Sequence, residues 1–62
     1  MKPYRAVLKF KNRTDVKKAK LLLENFNFVP SVGDLSISVK VRIWKEQEQV
    51  QRIAELYDAE IE

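Results

Sequence analysis

The chain has 62 residues, 45% of them apolar, and a formal net charge of +3. That length holds one domain with one core, and its stability margin is thin. Cysteine and histidine are absent. Their absence excludes a disulfide framework and thiolate or imidazole metal sites, and it removes the commonest catalytic base and the strongest nucleophile.

Apolar runs such as Leu21-Leu22-Leu23 are far too short to span a membrane, and the start of the chain has no signal-peptide pattern. The expectation is a cytoplasmic protein without a membrane partner. Charge is unevenly spread. Residues 1–20 carry eight Lys or Arg against Asp15 alone, whereas residues 21–62 carry four cations against eight carboxylates. A basic first half and an acidic end can steer a charged partner, or can pair with one another inside the fold.

Residues 4–11 alternate, with Tyr4, Ala6, Leu8 and Phe10 on one side and Arg5, Val7, Lys9 and Lys11 on the other. This is a half-buried strand. Asn12 or Thr14 can cap a following helix, and Asp15 suits its positive end. Val16, Ala19, Leu22, Leu23 and Phe26 then share a helical face, with Leu21 nearly opposite.

Residues 25–29 predict a short second strand that ends at Pro30. Residues 30–34 read as a turn in which Gly33 takes positive φ freely. Leu35, Ile37, Val39, Val41 and Ile43 alternate with Ser36, Ser38, Lys40 and Arg42, which predicts a third strand. Residues 45–61 predict a second helix, with Val50, Ile53, Ala54, Tyr57 and Ile61 on its buried face and Leu56 on the shoulder.

The order is β-α-β-β-α, in an α+β two-layer sandwich. A three-stranded antiparallel sheet carries both helices on one face, as right-handed crossovers require. The two halves echo each other, at a spacing of 33 in the strands and 34 in the helices. This is a ferredoxin-like plan truncated by its sixth element. The third strand is central and the first is an uncovered edge, guarded by lysines or paired with a second copy. The aromatic run of RNA-recognition domains with this order is absent.

No catalytic constellation emerges. The carboxylates from Glu46 to Glu62 fall on a solvated helix, Asp34 sits in a turn, and Ser36 and Ser38 have no base nearby. No cofactor or metal is expected, and the chain is read as a non-enzyme. The distinctive surface is the open sheet face, where Arg5, Lys9, Lys11, Lys40 and Arg42 gather without a carboxylate, with exposed Trp44 beside them. These six residues are the candidate partner-binding site. The expected function is a small regulatory protein (an inhibitor, adaptor or accessory subunit) that acts by protein–protein contact. A homodimer along strand one or over the open face is part of that expectation. The rival is nucleic-acid binding on the same cations. A continuous cationic groove with Trp44 favours nucleic acid, and neutralisation of the cations within the chain favours a protein.

Overall fold

A computed structural model describes all 62 residues. The elements are β1 (Tyr4–Lys9), α1 (Arg13–Asn25), β2 (Ser31–Val32), β3 (Ser36–Val41), α2 (Trp44–Leu56) and β4 (Glu60–Ile61). The sheet is antiparallel in the order β2-β3-β1-β4. The sixth element of the ferredoxin-like plan is therefore present, and the sheet has four strands instead of three. β3 does lie between β2 and β1, as the sequence predicts. β1 is not an edge, because β4 pairs with its second half.

The core lies between the sheet and the two helices. Ala6, Leu8, Ile37, Val39 and Val41 point into it from β1 and β3. Val16, Ala19 and Leu23 close it from α1, and Val50, Ile53 and Ala54 from α2. Phe10 and Phe28 are buried beyond the strand and helix ends. Alternation puts every second strand residue inward, and the register keeps the inward sets level: Ala6 opposes Val39 and Leu8 opposes Ile37.

α1 begins at Asn12, whose Oδ1 accepts from the Asp15 N–H at 2.9 Å. Its end has a definite cause. Asn27 adopts a left-handed φ of 68°. The Phe28 N–H then donates to the Leu23 carbonyl, and the Asn27 N–H to the Glu24 carbonyl, each at 3.0 Å. This is a Schellman motif, and the side chains of the two residues it joins, Leu23 and Phe28, are both buried in the core. The predicted strand over 25–29 is therefore a helix end, and the second strand falls at Ser31–Val32. Phe26 is the C-cap and lies partly exposed instead of in the core stripe.

α2 ends the same way. Asp58 takes a φ of 54°. The Ala59 N–H donates to the Ala54 carbonyl at 2.7 Å, and the Asp58 N–H to the Glu55 carbonyl at 3.2 Å. The helix stops at Leu56, and Ile61 belongs to β4 instead of the helical face. Both helices have 13 residues. Their ends correspond at a spacing of 31, not the 34 that the apolar stripe gives. Gly33 does not use positive φ at all. Leu35 and Ile43 fall outside β3 and are exposed, Ile43 as the N-cap of α2. No helix is long and apolar enough to cross a membrane.

Candidate cationic face and its internal carboxylates

The register fixes what the open face presents. Arg5 lies opposite Lys40, Val7 opposite Ser38, and Lys9 opposite Ser36. On the other side of β1, Lys9 faces Glu60. Val7 and Glu62 exchange backbone hydrogen bonds, at 2.8 Å from the Glu62 N–H and 3.5 Å from the Val7 N–H. Alternation then puts Glu60 and Glu62 on the same face as Lys9. The strand that the sequence conceals is the strand that carries acid to the cations.

Three of the five cations are consequently tied within the chain. Lys9 Nζ lies 2.7 Å from a Glu62 carboxylate oxygen. Its pKa is raised, first by that hydrogen bond and then by the Glu62 charge. Lys11 follows the end of β1 and donates to Asp58 Oδ2. That bond raises the Lys11 pKa and lowers that of Asp58. Arg42 meets Glu46 through its guanidinium at 2.9 Å and also through its backbone N–H at 2.9 Å.

Glu46 is thus both an ion-pair partner and a helix cap. Ile43, the N-cap residue, has no side-chain acceptor, and the carboxylate three residues on reaches back toward the helix start, as in a capping box. The Arg42 guanidinium, then its backbone N–H, hold the Glu46 carboxyl below its ordinary value. The expectation of a face with cations and no carboxylate is therefore corrected. Sequence spacing hints at the Arg42–Glu46 pair (i, i+4), but Asp58 and Glu62 look like two members of a solvated helix.

Two cations stay without a carboxylate. Arg5 donates to Ser38 Oγ at 3.2 Å, and Lys40 makes no ion pair. Lys40 and Arg42 border a depression of about 170 Å³ with Asn27, Phe28 and Val29. Trp44, the first residue of α2, is 64% exposed, and neighbouring Ile43 is also exposed. Tyr4 pairs with Val41 at this same end of the sheet and is partly exposed. The six predicted residues therefore divide. Lys9 and Lys11 sit with the acidic C-terminal segment, whereas Arg5, Lys40, Arg42 and Trp44 stand toward the apolar end of the sheet.

Chemically, this arrangement can hold a surface that is mixed cationic and aromatic. It contains no cluster of three acidic or other ligating side chains that could hold a metal. No family model matches the chain, and neither a curated protein nor a solved structure matches it.

Proposed function

We propose that this chain is a small non-enzymatic binding protein that regulates another protein by direct contact, in a cytoplasmic setting. The observation that carries the reading is the neutralisation of Lys9, Lys11 and Arg42 by Glu62, Asp58 and Glu46. A surface shaped to follow a phosphate backbone keeps its cations free. Here the free ones are Arg5 and Lys40, and Trp44 and Ile43 are exposed where the chain passes from β3 into α2. A tryptophan with an apolar neighbour and flanking cations has the composition of a protein-contact anchor. The absence of His and Cys supports the non-enzymatic part.

Affinity capture from the native host, with and without nuclease, tests the reading. The expected result is a protein partner that survives nuclease treatment and is lost with Trp44→Ala. Salt dependence tests the rival directly. With two unpaired cations on the open face, binding through that face should give a slope of log K against log salt of about −2 on duplex DNA, whereas five phosphate contacts would give about −4 to −5. A steep slope, with Trp44 fluorescence quenched and a Kd tighter than about 100 μM at physiological salt, would overturn the protein reading.

A further inference from the structure

The helix layer, opposite the open face, carries a second apolar surface. α1 and α2 run antiparallel, because each returns against its own strand and β1 opposes β3. Between them lies a groove of about 220 Å³ lined by Leu22, Phe26, Gln49, Arg52, Ile53 and Leu56. Leu56 is 67% exposed and Leu21 is 63% exposed. With Val16, Ala19 and Leu23 buried beneath α1, helical periodicity turns Leu21 outward, about 100° around the helix from groove-lining Leu22. A single exposed leucine is ordinary, but exposed Leu56 and Phe26 lining one apolar groove form a patch.

Charge identifies the occupant. Lys17 and Lys18 are exposed on α1 and make no ion pair. The last turn of α2 holds exposed, unpaired Glu55 and no basic residue, so the negative end of that helix is unopposed. We propose that a second copy of this chain covers the groove, in a two-fold dimer whose axis runs along it. That axis lays α1 of each copy over α2 of the other.

Antiparallel helices that share the groove put the Leu22 turn level with the Ile53–Leu56 turn. Lys17 and Lys18 therefore meet Glu55 and the C-terminal end of α2 across the interface. Symmetry makes this contact twice. Leu21, Leu22, Phe26 and Leu56 close over one another between the two contacts. A two-fold axis across the groove would instead stack α1 on α1 and α2 on α2, which takes Lys17 and Lys18 away from Glu55.

A stable pairing needs about 800 Å² from each partner, a little under a fifth of the 4439 Å² surface. The helix layer is one broad side of a body measuring 31 × 21 × 19 Å, so the whole layer, and not the groove alone, is the interface. The proposal uses the layer opposite the cationic face and does not rest on the function proposed above.

Sedimentation from about 1 μM to about 1 mM protein tests it. The mass should rise from 7.3 kDa toward twice that value. Leu56→Glu should weaken association about tenfold or more while circular dichroism stays unchanged. Lys17→Glu with Lys18→Glu should weaken it, and so should Glu55→Lys. The variant with Lys17→Glu and Lys18→Glu, mixed with the Glu55→Lys variant, should form a heterodimer, because both contacts then pair opposite charges again. A mass of 7.3 kDa at every concentration overturns the proposal, as does a mixture of the charge variants that stays monomeric. A dimer that ignores the helix variants but dissociates on Arg5→Glu and Lys40→Glu overturns it too.

Discussion

Leu23 is the residue on which this fold most depends. It is fully buried on α1, and its carbonyl accepts from both Phe26 and Phe28 at the helix end. Leu23→Ala leaves those backbone bonds in place and removes three carbons from the centre of the core. Large-to-small changes of this kind cost about 2–5 kcal/mol, more when the site cannot collapse. Collapse is resisted here, because Leu23 is held between a capped helix end and the rigid β1–β3 pair. A chain of 62 residues has a total stability of only about 3–9 kcal/mol by size. A loss near about 3 kcal/mol should lower Tm by about 12–24 °C. With a urea dependence near about 1 kcal/mol per molar, it should lower the urea midpoint by about 3 M. Circular dichroism melts and urea titrations, at concentrations where the chain is monomeric, read both. Leu21→Ala, two residues away on the exposed side, should stay within about 0.5 kcal/mol of the parent. Equal midpoints for the two variants would refute the placement of α1.

Three further outcomes follow from the caps, the ion pairs and the last strand. At Asn27, a β-branched residue cannot easily take the left-handed conformation, so Asn27→Val should cost about 1–2 kcal/mol, whereas Asn27→Gly should not lower the melting temperature. Glu46 and Asp58 have lowered pKa values in the fold, so their contribution is present above the unfolded carboxylate range of about 4 and is lost as pH falls through the lower folded values. The melting temperature should hold from neutral to about pH 5 and then fall, and Glu46→Gln with Asp58→Asn should flatten that acid limb. Glu62→Pro deletes the N–H that donates to Val7 and should cost about 1 kcal/mol, while Glu62→Gln keeps it, loses only the exposed ion pair with Lys9, and should lower the urea midpoint less than Glu62→Pro does.

The central pattern was legible because it repeats. Five apolar residues alternating from Leu35 to Ile43 leave no reading but a strand, and the buried faces of both helices follow their periodicity. The boundaries were not legible, for one physical reason. Both helices end on a left-handed residue that is not glycine, Asn27 and Asp58, and the one glycine sits elsewhere with an ordinary φ. Without a glycine to mark the stop, Ile61, four residues after Tyr57, counts as one more helical position. That concealed β4. The same stop hides the acids of the site: Glu62 and Asp58, which bind Lys9 and Lys11, lie beyond it. Two-residue strands such as β2 and β4 carry too little alternation to be read at all.

The strand order has a consequence for how the molecule can form. The chain consists of two strand-helix-strand units, β1-α1-β2 and β3-α2-β4. Every adjacent pair in the sheet, β2 with β3, β3 with β1 and β1 with β4, joins one unit to the other. Neither unit can make a single strand pairing by itself. Each is a helix between two strands with nothing of its own to hydrogen-bond to. Partial order should therefore be scarce, and equilibrium unfolding should be all-or-none despite the internal duplication. Separated peptides covering residues 1–33 and 34–62 should each lack stable structure and should acquire it together when mixed. Repetition here produces two interlocking pieces of one cooperative unit, not two small stable modules.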